Sequence, residues 1–555
     1  VAAPLLLIGL DGAGLDLVEP WVAEGRLPAL GALLARGSFG PLRSTIPAAT
    51  FPAWTSLMTG VNPGRHGVLD FLERVPGTYR MRFMNGSHRR VPALWNRLSA
   101  AGKRSAVLTV PATYPPEPIE GIMVSGWDTP LTTRIDASFV QPPAFHDEVR
   151  RLVGTLPFAD FQEVRTGAGW HTRALASLLD GIDRRTRLAE ALLRREPLDA
   201  LVVVYGESDT VSHHFWRFHD PASPRHAPSE HGDAIRRVYE ALDRAVGTLV
   251  AAAGPDAVVA VVSDHGSGGA SDRVLHLNRR LAECGLLTFR ASGGGAARLA
   301  RRLALRAVPT RLQGAILRRA PETAGRLEGL ARLGQIEWSG TQAYSEELDY
   351  HPSVWINRAD RDPEGTVAAA DYERLRAQVT DALTSWRDAD GEPVVARVWR
   401  REDVYDGPAT ERAPDLLVEP AWHRGYRPSC LRSPGPGPAL RVLDPSEHGA
   451  GKDAGTSGTH RREGLFALAG PGVASRGRCD AADVVDVLPT LLPLAGLAVP
   501  DGLDGRPIAD ALTIPVAAGA DAVPAPDAAP LAYDAEETRI LAERLAALGY
   551  LEPGA

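Results

Sequence analysis

Three unbroken apolar runs, each ending in polar residues that could do chemistry, constrain this chain more than any other feature: LLLIGLDG (5–12), ALVVVYGESD (200–209) and AVVAVVSDHG (257–266). Short aliphatic runs without polar alternation suit strands buried on both faces, the condition of parallel strands covered by helices. Between them lie helical patterns such as LPALGALLARG (27–37) and TRALASLLDGIDRRTRLAEALLRR (172–195). The alternation predicts an α/β fold, a doubly wound and mostly parallel central sheet with helices on both faces. Such sheets bind ligands in the crevice beyond the carboxyl ends of their strands. Asp11, Asp209, Asp264 and His265 fall at those ends.

A chain of 555 residues that is 44% hydrophobic can bury one large core or several smaller ones. We read 1–514 as one catalytic unit with an inserted cap at 286–345. A linker rich in Ala, Pro and Asp follows at 515–531, then a helical tail at 532–555 that docks on the body or on another subunit of a homo-oligomer. Residues 290–332 hold ten arginines and only two acids, Glu322 and Glu328. That stretch is either a solvated helical insertion or a lid that attracts anionic substrates. The net charge of -7 implies neither nucleic acid nor an anionic membrane as partner. Cys284, Cys430 and Cys479 fit neither a disulfide framework nor a thiolate metal site. No stretch reaches the roughly 18 apolar residues of a membrane span. The Leu5–Leu10 run is too short, and lacks the basic flank, for a signal peptide. The cytoplasm is the expected location, although a chain beginning at Val1 is also compatible with a leader already removed.

Taken together, the strand ends assemble a donor set. Asp209 and His213 lie four apart in DTVSH, so on a helical turn they share a face. Asp264 and His265 are adjacent, Asp11 ends the first run, and His460 lies downstream in SGTHRREGLFALAGPG. Three carboxylates and three imidazoles suit borderline metals such as zinc or manganese. Singly, each has an ordinary reading: an Asp after a strand commonly caps a helix, and an Asp-His pair can be loop polarity.

The chain resembles the phosphodiesterase/nucleotide pyrophosphatase branch of the alkaline phosphatase superfamily. More closely, it resembles its prokaryotic group of predicted phosphohydrolases or phosphomutases. The likeness covers nearly the whole length. It runs through IGLDGAGLDLVEPWVAEGRLPAL, STIPAATFPAWTSLMTGVNPGRHGVLDF, SDTVSHHFW, VVSDHG, HLNRRLAECGLL, IEWSGTQAYS, GTHRREGLFALAGPG, DVLPTLLPLAGLAVPDGLDG and the ALGYL tail. The resemblance implies a phosphate-ester hydrolase with two divalent metals, zinc first and manganese second, acting on a small phosphorylated substrate. It implies that Asp11, Thr50, Asp264 and His265 hold one metal, that Asp209, His213 and His460 hold the other, and that Thr50, in ATFPAWTS, is the nucleophile. His214 and His448 compete for ligand roles; the four-residue spacing favours His213, and the GTH context favours His460. His66 is expected to order a loop. Asn85 either contacts a substrate phosphoryl oxygen or caps a turn.

Coordination to a metal would activate a threonine hydroxyl, a poor nucleophile at neutral pH, without a histidine base. Thr50 argues against a sulfatase of the usual kind, which needs Cys or Ser there. Phosphomonoesterase and phosphomutase remain alternatives to the diesterase reading. A non-catalytic scaffold would be free to lose Thr50 or a histidine, and this chain has kept the set.

Overall fold

The computed structural model describes residues 4–126, 137–154, 169–290, 333–448 and 455–520, with 523, 524 and 526. The Leu5–Leu10 strand lies inside a ten-stranded sheet, parallel to Ala200–Tyr205 on one side and to Val258–Val262 on the other. Beyond Ala200–Tyr205 come the parallel strands Ser105–Leu108 and Gly121–Val124, then the short antiparallel Val140–Gln141. Beyond Val258–Val262 the direction reverses. Glu463–Ala469 runs antiparallel to it and to Ser38–Arg43, whose other edge pairs with Gly477–Arg478 and Ala482–Asp483. The sheet is mixed but mostly parallel, in line with the unbroken apolar runs.

Side chains alternate between the faces of a strand, and here both faces are buried. Leu6, Ile8, Leu10, Leu201, Val203 and Tyr205 belong to the core beneath the helices Trp170–Arg195 and Ala234–Ala253. Those helices turn Leu175, Leu178, Ile182 and Val238, Leu242, Leu249 inward at helical spacing. Leu5, Leu7, Val202 and Val204 pack on the opposite face against Trp54, Leu57 and Met58 of the Thr50–Thr59 helix and against Val487–Leu494.

This topology positions the functional edge. Parallel strands deliver Asp11, Asp209 and Asp264 to one end of the sheet. The antiparallel Glu463–Ala469 strand begins at that same end, so His460, just upstream of it, arrives there as well.

A third core gathers residues between Leu275 and Leu440. Its frame is an antiparallel sheet in the order Ala343–Tyr344, Ser353–Ile356, Leu416–Pro420, Val395–Arg400, backed by the helix Tyr372–Thr384. Buried charge ties it to the body: Arg74 bonds Asp362 and Tyr344, and Arg412 bonds Glu73. The arginine-rich stretch lies outside the described residues from 291 onward, as do the tail 532–555 and much of 515–531. Among the described residues no helix is long and apolar enough to cross a membrane.

Candidate active site

Asp11 continues the central strand into the turn, its backbone N–H donating to the Tyr205 carbonyl at 3.0 Å. Gly12 then bends the chain at φ +69°, and a Cβ there would meet Asp209 Oδ1 and Ser267 Oγ at 2.9 Å. Both conformation and space therefore demand glycine. Asp209 and His213 stand one turn apart on the Glu207–His219 helix, the spacing at which side chains meet. Pairing of Gly266–Leu275 with Gly458–Arg461 sets Ser267 opposite His460 and carries that histidine to the same place.

The side chains close into two groups. Asp209, His213 and His460 form one, and Asp11, Asp264 and His265 the other; within each, potential ligand atoms lie within 4.8 Å of one another. In the first, Asp209 Oδ1 is 3.1 Å from His213 Nε2 and 3.4 Å from His460 Nε2. In the second, His265 Nε2 is 3.5 Å from Asp11 Oδ1 and 3.3 Å from Asp264 Oδ2. The groups adjoin, with the rings of His265 and His460 stacked at 3.7 Å. Each histidine is held from behind: Nδ1 of His213, His265 and His460 faces the carbonyls of Gly458, Gly266 and Ala48 at 3.1, 3.1 and 2.7 Å. A proton on Nδ1 satisfies those carbonyls and turns the Nε2 lone pairs inward, the tautomer a metal requires.

Electrostatics favours a cation here. Burial and the neighbouring Asp209 push the Asp11 carboxyl well above its ordinary range; burial and Asp11 do the same to Asp264. Burial also opposes ionisation of Asp209, but His213 and His460 overcome it and hold that carboxyl well below its usual value. His265 is driven well down by burial and by His460, so its ring is neutral and able to ligate. Among the described residues no hydrogen-bond donor meets Asp11 Oδ1 or Asp264 Oδ2, both of which are enclosed. Buried carboxylate oxygens that lack donors are costly unless a cation meets them. The residues therefore fit two divalent ions, Asp11, Asp264 and His265 holding one and Asp209, His213 and His460 the other.

Thr50 begins the Thr50–Thr59 helix and is fully buried. Its Oγ1 lies 3.3 Å from His265 Nε2, beside the Asp11 group and at the positive end of the helix dipole. One turn further on, Trp54 Nε1 donates to Asp11 Oδ2 at 2.9 Å. The same helix thus carries the candidate nucleophile and fixes a candidate ligand.

The other sequence candidates fall elsewhere. His214 packs edge-on against Trp170, and His448 presents its carbonyl to Arg217. His66 bonds Ser56 Oγ at 2.9 Å and accepts from the Val68 amide, with burial lowering its pKa to about 3, so it orders the loop after the helix. Asn85 is buried and caps the Gly86–His88 turn, its Oδ1 accepting from Ser87 N and Oγ at 3.1 and 2.6 Å. Sequence reasoning missed Tyr350. Its ring stacks on His460 at 4.2 Å, and its hydroxyl lies 3.1 Å from His213 Nδ1. No periodicity or motif marks it. Trp54 could have been found, because it stands four residues after Thr50 on the same helical face.

Adjoining Asp/His groups at the carboxyl edge of a doubly wound sheet, beside a hydroxyl at a helix N-terminus, define a phosphoesterase of the alkaline phosphatase superfamily. The model of the type I phosphodiesterase / nucleotide pyrophosphatase family matches residues 5–428, and the chain belongs to that family. Phosphonoacetate hydrolase from Sinorhizobium meliloti 1021, solved with phosphonoformate, shares the fold at TM-score 0.50 and 17% identity, over 88% of this chain and 94% of that one. Human ectonucleotide pyrophosphatase/phosphodiesterase 5 aligns at TM-score 0.49 and 13% identity, over 92% and 100% of the two chains. An inactive murine form of that protein, in complex with AMP, aligns at TM-score 0.46 and 13% identity, over 89% and 96%. No curated protein matches the sequence.

Proposed function

We propose that this phosphoesterase is a two-metal phosphodiester hydrolase with Thr50 as its nucleophile. The observation that carries the reading is the placement of Thr50 Oγ1 at a helix N-terminus, 3.3 Å from His265 Nε2, with His460 of the second group bonded to the Ala48 carbonyl just before that helix. Imidazole and carboxylate donors suit zinc first and manganese second. Two such ions, when bound, would lower the pKa of the Thr50 hydroxyl and neutralise charge on the phosphoryl oxygens. Thr50 Oγ1 attacks phosphorus, the Oγ1–P bond forms as the ester P–O bond breaks, and the alcohol departs. Water then cleaves the Oγ1–P bond, restoring the hydroxyl and releasing a phosphate monoester. Asn85, whose Oδ1 closes a turn, would offer its Nδ2 to a phosphoryl oxygen.

A diester is favoured over a monoester because a cleft lined by Ile46, Trp399 and Trp422 lies beside His460 and Ala48. A monoester has no second ester group to fill it. Monoesterase and mutase activities, which share the same first step, rank behind. The test is a kinetic screen of aryl phosphate mono- and diesters on the full chain loaded with zinc or with manganese. A higher kcat/KM for diesters is expected; a consistent preference for monoesters would replace the diesterase reading with the phosphatase one.

A further inference from the structure

The cleft beside His460 is chemically lopsided. The small antiparallel sheet supplies apolar lining, with Trp399, Leu417 and Val418, and the loop before Thr50 adds Ile46 and Pro47, Ile46 packing in one cluster with Leu417 and Trp399. Trp422, one of the few large hydrophobic side chains exposed among the described residues, also lines the cleft, with the Arg461 guanidinium 4.8 Å from the ring centre. Among the described residues three charged groups, Arg427, Glu419 and Arg462, line the same space, and two are committed. Arg427 is held by Asp349, its NH2 donating to the backbone carbonyl at 2.6 Å, and Glu419 accepts from Trp399 Nε1 at 3.2 Å. Arg462, two residues beyond His460, differs. Among the described residues no carboxylate pairs with it, and its guanidinium makes one long hydrogen bond, from NH2 to the Ser44 carbonyl at 3.5 Å. Its Nε is enclosed, with no acceptor among the described residues. A half-buried guanidinium with no carboxylate partner among the described residues, in a cleft that His460 also lines, is able to pair with an anion there.

We infer that this cleft receives the second ester group of the substrate, a flat apolar group bearing an anionic substituent, and that Arg462 selects for that anion. The inference rests on the diesterase reading above. Aromatic and aliphatic side chains supply contact area for a ring, and the guanidinium fork matches a carboxylate, sulfonate or phosphate oxygen pair.

The test uses two 4-nitrophenyl phosphodiesters with the metal-loaded full chain, the second ester group being benzyl in one and 4-carboxybenzyl in the other, so that 4-nitrophenolate leaves from both. The native protein should favour the carboxylated ester by about tenfold or more in kcat/KM, and the preference should shrink as salt rises, because exposed charge is screened. Arg462→Gln should bring the ratio close to one, while Arg462→Lys, which keeps the charge, should retain much of it. Trp422→Ala should raise KM for both esters and leave the ratio in place. An equal ratio in the native protein and Arg462→Gln, or no preference in the native protein, overturns the assignment of Arg462. KM values for both esters that Trp422→Ala leaves unmoved overturn the apolar half. Turnover of neither diester by the native protein is a different failure: it removes the diesterase reading, and this inference with it.

Discussion

Replacing Trp54 with phenylalanine removes one hydrogen bond from one of the two candidate metal sites. Trp54 is fully buried, and its Nε1 donates at 2.9 Å to Asp11 Oδ2, in the group completed by Asp264 and His265. A buried bond to an ionised acceptor is worth about 1.5–3 kcal/mol. If that energy orients Asp11 towards a cation, its loss weakens binding by roughly 10- to 150-fold, at 1.4 kcal/mol per decade. Losses of about 10- to 100-fold on removing a partner that orients a metal ligand fall in the same range. The Trp54 indole donates to Asp11, a member of one group only, so one of the two ions should be the more affected. The smaller ring also leaves a void against the central strand, where the Trp54 ring now lies so close that a Cβ on Gly9 would sit 2.3 Å from Cη2. That packing loss lowers thermal stability with or without metal and is separable from affinity. Competition against a chromophoric chelator, starting from metal-free protein, should show one dissociation constant raised by about 10- to 100-fold and the other little changed. Two constants that both stay put, or that rise together, would refute the argument that Trp54 serves Asp11 specifically.

Thr50→Ala deletes the proposed attacking oxygen and should lower kcat by about 10³ or more, roughly 4 kcal/mol of barrier, with the fold intact by circular dichroism. Thr50→Ser keeps the hydroxyl and loses a methyl that mainly restricts rotamers, so steady-state rates should remain well above those of the Ala variant. Chelation should lower the melting temperature more at pH 8 than at pH 5. The folded-state values of Asp11 and Asp264 are raised, so without metal their burial costs nothing below the ordinary value of 3.8 and costs progressively more as pH climbs through the raised values. Bound cations remove that cost. Asp209 has the opposite sign, its stabilisation being lost only as pH falls below the ordinary carboxylate range. Calorimetry with and without chelator at the two pH values checks this; an equal or smaller gap at pH 8 would contradict it.

The parts legible in the sequence follow from periodicity. Runs such as Ala200–Tyr205 and Val258–Val262 advertise strands buried on both faces because every residue, not every second one, is apolar. Asp11, Asp209 and Asp264 stand out because they interrupt such runs. His213 is distinguishable from His214 by helical spacing alone, and the structure turns the two rings to different surroundings. His460 is harder, since it reaches the cluster through an antiparallel strand nearly 200 residues downstream of Asp264, and only motif context singles it out. Tyr350 and the cleft wall were not legible. The Ala343–Tyr344 and Ser353–Ile356 strands are too short to show alternation, and Leu417, Trp399 and Trp422 converge only through long-range pairing in the small sheet. Arg462 is likewise unremarkable in a chain rich in arginine; what distinguishes it is its place on the cleft wall, a property of the fold.

The central claim is that Thr50 carries the phosphoryl group between two chemical steps. Rapid acid quench of the metal-loaded protein during turnover of a slow aryl phosphodiester, followed by peptide mass spectrometry, addresses it most directly. The account predicts a phosphoryl adduct on the peptide containing Thr50, formed with a burst of released phenol and absent from Thr50→Ala. Turnover by Thr50→Ala at close to the native rate, with metals bound and no adduct on the native protein, would contradict it and point to direct attack by water.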